Sequence, residues 1–209
     1  MESSEPACCA AKSPRIGARR KQVSDAARVL FAAQGFQNTR MAQISDAARI
    51  KVGQIYRDFD GKEAIVADIV RADLMEFLDE PALDEAIASR DPAAVRHWLG
   101  DFIRRDCDPA QGRLLSQILV ESARNARIAC LLQRADERIS ANLARAIAAI
   151  APARSCETAR ARLVDVIMVL IVGLPQRQLA APGIDVTATA ASFSALVERE
   201  IDRLLVTDA

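Results

Sequence analysis

A single histidine, His97, and five cysteines (Cys8, Cys9, Cys107, Cys130 and Cys156) without ligand spacing offer no metal-binding pattern. Their odd number also argues against a disulfide framework. The sequence has no glycine-rich phosphate loop and no serine or cysteine nucleophile matched to a base, so it predicts neither an enzyme nor a bound cofactor. Aromatic residues make up only 4% of the chain, and alternating β-branched runs between turn signals are missing, which excludes a sheet protein. Long hydrophobic runs are absent as well. The longest, Val166 to Pro175, falls far short of the ~20 residues of a membrane span, and the start of the chain carries Glu2 and Glu5 in place of an apolar leader. A cytoplasmic protein with no membrane partner is expected.

Net charge is also lacking, yet the zero conceals an asymmetry. Residues 1–62 hold 11 Lys and Arg against 6 Asp and Glu, while residues 63–209 hold 17 against 22. A basic head that meets phosphates and an acidic body that does not would give this distribution. At 51% hydrophobic residues, rich in Ala, Leu and Ile, the 209-residue chain has ample material for a helical core.

Periodicity locates the helices. Residues 1–14 lack it and read as a disordered tail. Val23, Ala26, Ala27, Leu30, Phe31 and Gln34 share one helical face, which Gly35 terminates. Thr39 is placed to cap a second, short helix with Met41, Ile44, Ala47 and Ala48 inward. After a break at Arg49 to Val52, a third helix buries Ile55 and Phe59, leaving Gly53, Gln54 and Arg57 outward. A turn at Asp60-Gly61 then starts a long helix at Lys62. Further helices are expected at about 83–89, 92–107, 110–125, 127–150, 156–180 and 186–206, separated by proline signals.

Two short helices joined by a tight turn can set the second across a major groove. Gln and Arg there offer paired contacts to base edges, and Gly53 lets a backbone come close. The series Ala27, Leu30, Phe31, Gly35, Phe36, Thr39, Ile44, Gly53, Tyr56, Phe59, Lys62 and Glu63 resembles the signature of the TetR family of bacterial transcriptional regulators. The resemblance implies an all-α fold of about nine helices, with a helix-turn-helix DNA-binding domain at 15–62 and a ligand-binding and dimerisation domain at 63–209. It also implies that Thr39, Tyr56 and Lys62 hold phosphates while the third helix reads bases. Arg40, Lys51, Gly53, Gln54 and Arg57 complete the expected DNA contacts.

Three residues depart from that signature. Arg49 stands where a turn glycine is usual, and Lys51 where a capping serine often lies. Asp58 replaces an aromatic or histidine, and since phosphates repel a carboxylate, the contact is assigned to Arg57. The basic cluster Arg15, Arg19, Arg20 and Lys21 is either a solvated helix end or an arm along phosphates.

In the body, residues 163–174 are apolar almost all round, which calls for burial on every side. The last helix carries a small-residue stripe, Ala188, Ala191, Ser192 and Ala195, beside a larger one, Phe193, Val197, Ile201 and Leu204. By resemblance, the last two helices pair with a second copy into a homodimer. Met75, Trp98, Phe102, Ile118, Glu121 and Met168 are the candidate pocket residues for a small lipophilic effector. The expected function is a repressor that such an effector releases from a palindromic double-stranded operator. The alternatives are a helical adaptor, or a regulator without a pocket that responds to redox state through Cys8 and Cys9.

Overall fold

The computed structural model describes residues 14–105, 109–152 and 157–206. The expected tail through residue 13 and Cys8, Cys9, Cys107 and Cys156 lie outside them. The described residues form ten α-helices and no strand: α1 (Pro14–Gln34), α2 (Met41–Ala48), α3 (Val52–Asp58), α4 (Lys62–Leu78), α5 (Glu80–Ala88), α6 (Pro92–Arg104), α7 (Pro109–Ser122), α8 (Ala126–Ile150), α9 (Glu157–Ala180) and α10 (Val186–Val206). The fold is all-α, with a helix-turn-helix head at its N-terminal end.

Capping chemistry sets several boundaries. Asp91 accepts the Ala93 N–H at 2.9 Å, and Asn125 accepts those of Arg127 and Ile128, opening α6 and α8. α5 begins earlier than the periodicity suggests, because Pro81 sits in its first turn, where a missing N–H costs nothing. Gly35 ends α1 with φ 82°, a left-handed conformation that favours glycine, whereas the nearest atom to a Cβ there, Gln117 Oε1 at 2.9 Å, is the tip of a flexible side chain that can move aside.

Two cores result. The first gathers Val23, Ala27 and Phe31 of α1, Ile44 and Ala48 of α2, Ile55 of α3, and Ile65, Val66 and Ile69 of α4. It also takes Leu114 and Ile118 from α7 and Ile128 from α8. The second joins Leu78, at the far end of α4, to α5, α6, α8, α9 and α10 around Leu99, Phe102, Leu143, Ile147, Ile167 and Ile201. Thus α4 carries one end in each core.

Two expectations need correction here. Ala47 is exposed, because the short α2 turns only Ile44 and Ala48 fully inward. The apolar stretch 163–174 is not covered on all sides within one chain: Leu163, Val164 and Ile167 are buried, but Val166, Val169 and Val172 are 52%, 71% and 38% exposed. α9 is long and apolar enough, by length and composition alone, to cross a membrane, although it packs against α7, α8 and α10.

Candidate nucleic-acid interface and effector region

The turn between α2 and α3 is built without glycine. Arg49 takes φ 52° and ψ 38°, a left-handed conformation that costs a side-chain-bearing residue about 1 kcal/mol. Local bonds hold it. The amides of Arg49 and Ile50 reach Asp46 O and Ser45 O, and Ser45 Oγ donates to Ile50 O at 2.6 Å. Ile55 and Phe59 then anchor the inner face of α3, leaving Gly53, Tyr56 and Arg57 exposed and Gln54 half-buried.

Half of the head's cations are spent internally. Arg19 forks onto the Asp58 carboxylate through Nε at 2.5 Å and Nη2 at 2.9 Å, and this hydrogen bonding holds the Asp58 carboxyl below the usual carboxylate range. Arg20 donates to the Asp58 carbonyl oxygen and to Asp68 Oδ1, with its guanidinium 4.1 Å from the centre of the Phe59 ring. Lys21 pairs with Asp25, and Arg28 with Asp73. The basic start of α1 is therefore largely a brace that ties α1 to α3 and α4, and Asp58 is a structural anchor.

The cations left over mark a surface. Arg40 before α2, Arg49 and Lys51 in the turn, Arg57 on α3 and Arg15 on α1 are exposed and have no ion-pair partner among the described residues. Gly53 lies among them. A Cβ built there would meet nothing within 4 Å, so the fold itself does not require glycine at a helical position where it is unfavourable.

Thr39 and Lys62 stand differently from their expected roles. Thr39 is 1% exposed and its hydroxyl donates to Gly35 O at 2.8 Å, so Arg40, not Thr39, occupies the N-cap of α2. Lys62 Nζ donates to Phe36 O at 2.6 Å and Thr39 O at 2.9 Å and sits 4.4 Å from the centre of the Phe36 ring. Burial pulls its pKa below the ordinary lysine value despite the charges of Glu63 and Glu121. Lys62 thus clamps the α1–α2 loop onto the start of α4. The same loop reaches the body through Gln37 Nε2, which donates to Glu121 Oε1 at 2.8 Å.

The six expected pocket residues do not converge. Ile118 and Glu121 border a crevice of only about 10 Å³ under the head, with Phe31, Phe36 and Ile128. Phe102 lines a different narrow cleft, of about 30 Å³, between α6, α9 and the start of α10. Trp98 stacks on Phe102 at 5.4 Å, and its Nε1 is buried with no hydrogen-bond partner among the described residues. Met168 packs against the same body core. Met75 is 58% exposed, since α4 turns that face to solvent, and it lines neither cavity. Sequence reasoning missed Arg104 and Arg105, which border the larger cleft.

Comparison with known proteins converges on the head. The family model described as bacterial regulatory proteins, tetR family, matches residues 23–69. The transcriptional repressor KstR2 of Rhodococcus jostii (strain RHA1) is 42% identical over 62 residues, which are 30% of this chain and 28% of that repressor's length. Among solved structures, a TetR transcription regulator from Haloarcula marismortui superposes with TM-score 0.69 at 15% identity, covering 87% of this chain and 96% of that one. Salmonella enterica GusR does so with TM-score 0.61 at 22% identity, covering 93% and 98%. At these identities the structural likeness is one of fold.

Proposed function

We propose, from the match of residues 23–69 to the TetR family of bacterial regulatory proteins, that this chain is a TetR-family regulator that represses transcription by holding a palindromic operator until a small lipophilic effector releases it. The head, residues 15–62, binds DNA, and the body, residues 63–209, senses the effector and dimerises. One observation carries the DNA-binding reading: the head neutralises its other cations internally and leaves Arg40, Arg49, Lys51 and Arg57 free around an exposed Gly53. An adaptor that only packed against protein would gain nothing from such a surface.

Roles divide by position. Gln54 and Arg57 on α3 read base edges, Gly53 admits the DNA backbone, and Tyr56, 53% exposed, offers its hydroxyl to phosphate. Arg40 and Lys51 add phosphate contacts. Thr39 and Lys62 contribute by fixing the loop that presents Arg40, and backbone amides at the start of α4 remain available to an anion. Dimerisation sets two α3 helices at successive major grooves, about 34 Å apart. The exposed Val166, Val169 and Val172 of α9, together with the exposed Ala188, Ala191, Ser192 and Ala195 of α10, supply the face for the second copy.

A gel shift with the DNA upstream of the chain's own gene, at two salt concentrations, tests this reading. Tight, palindrome-dependent and salt-sensitive binding is expected. Arg57→Ala should relax sequence preference, and Lys51→Ala should weaken all sequences alike and lower the salt slope by about 1. No binding at low salt overturns the proposal.

A further inference from the structure

We infer that Val52 reads the C5-methyl group of a thymine in each operator half-site. The inference rests on the DNA-binding reading above and names one base that the outer face of α3 selects.

The fold has no use for an apolar side chain at this position. Val52 is 37% exposed and belongs neither to the buried core of the head nor to the partly buried residues packed on it. The apolar work around α3 falls to its neighbours. Ile50, just before the N-cap residue Lys51, and the buried Ile55 have the spacing of a hydrophobic staple and join the same core, and Phe59 anchors the far end. A β-branched residue is also a poorer helix former than alanine, so local structure does not favour valine here.

A single exposed valine needs no explanation by itself. The surroundings of Val52 supply one. Tyr56 lies one helical turn on along the same exposed face, followed by Arg57. Arg40, Arg49, Lys51 and Arg57, none in an ion pair among the described residues, suit a polyanion. An apolar group set in a cationic surface fits a partner that carries an apolar group between rows of negative charge. On the major-groove edges of duplex DNA that group is the thymine methyl. Gly53, beside Val52, presents no side chain to hold the groove away. Gln54 and Arg57 discriminate by donor and acceptor, and Val52 adds a contact that the methyl satisfies.

The test uses the whole chain and the duplex it selects from a random pool, with each thymine replaced in turn by deoxyuridine, which lacks only the methyl. Fluorescence anisotropy at constant salt gives the affinities. One thymine per half-site should be sensitive: burial of one methyl-sized group corresponds to about fourfold in affinity, and replacement in both half-sites to about fifteenfold. Val52→Ala should bind the unmodified duplex about as weakly as the wild type binds the doubly replaced one, and should be indifferent to uracil at that thymine. Val52→Ile, which keeps the apolar contact, should retain the sensitivity. Thermal melts of Val52→Ala by circular dichroism should show no loss of stability. A wild type insensitive to every replacement, or a Val52→Ala protein that still distinguishes thymine from uracil at each sensitive position, overturns the inference and leaves the regulator reading standing. A wild type that selects no duplex refutes that reading and the inference with it.

Discussion

Replacing Asp68 by asparagine tests the brace beneath the DNA-binding surface. Asp68 of α4 is 9% exposed and accepts from Arg20 at 2.8 Å, from Ser24 Oγ at 3.0 Å and from Arg71 at 2.5 Å. Arg71 is 61% exposed and contributes at most about 1 kcal/mol. The bonds from Arg20 and Ser24 reach a shielded carboxylate, where a hydrogen bond to a charged group contributes about 1.5–3 kcal/mol. Asparagine keeps one acceptor oxygen but sets an amide N–H against donors, so Asp68→Asn should cost about 2 kcal/mol. For a chain of this size that lowers Tm by about 4–8 °C at pH 7. Acid supplies a second check. Burial by itself would raise the Asp68 pKa, but hydrogen bonds from Arg20, Arg71 and Ser24 outweigh it and hold the carboxyl below its ordinary value of 3.8. A depressed carboxylate stabilises the fold above that value and loses the benefit as pH falls through its folded pKa. The gap between the two proteins, measured by thermal melts, should be full at pH 7 and close progressively below pH 3.8. A Tm difference under about 1 °C at pH 7, or a gap that persists in acid, would refute the reasoning.

Gly53→Ala should act with opposite signs in two assays, raising stability by about 0.5–1 kcal/mol in denaturant titrations while weakening operator binding in gel shifts. Val169→Glu, at a residue 71% exposed in the single chain, should leave the helical content intact and yield monomers in sedimentation, with operator affinity lost in parallel. Arg138 and Asn142 hold the Glu80 carboxyl down at about 2, from an ordinary 4.5, so their contribution is present above pH 4.5 and is lost as pH falls towards 2. Because this pair is partly solvated, Arg138→Gln should remove only about 1 kcal/mol at pH 7 and nothing measurable in strong acid, read from melts across that range.

The helices were legible because apolar spacing at 3.6 residues reports which face is buried, and α1, α3 and the first half of α4 obey it closely. Periodicity says nothing about partners distant in sequence. Arg19 and Asp58 lie 39 residues apart, and Arg20 and Asp68 lie 48 apart, so a basic helix start that reads as a phosphate arm becomes an internal brace only once the chain has folded. A signal was nonetheless present: Asp68 falls beside Ile65 and Ile69 on the buried face of α4, where a carboxylate needs donors from elsewhere. The pocket residues failed for a related reason. Burial of Trp98, Phe102 and Ile118 was foreseeable, whereas Glu121, which its charge would place at a solvated face, is buried, and which cavity each borders depends on how α7 and α9 cross α6 and the head. Thr39 shows the limit at the level of one atom, since a hydroxyl free to serve phosphate or backbone turned to Gly35 O.

Leu114, Ile118 and Ile128 belong to the body by sequence but fill the core of the head. The helix-turn-helix head is therefore not a cassette. Cut after α4, it would expose the apolar floor those three side chains cover. Transplanted onto another regulator, it would keep its specificity only if the new host offered matching shapes at the same places. If the exposed side chains of α2 and α3 read DNA as proposed, changing them should alter specificity with less damage to the fold than trading whole heads.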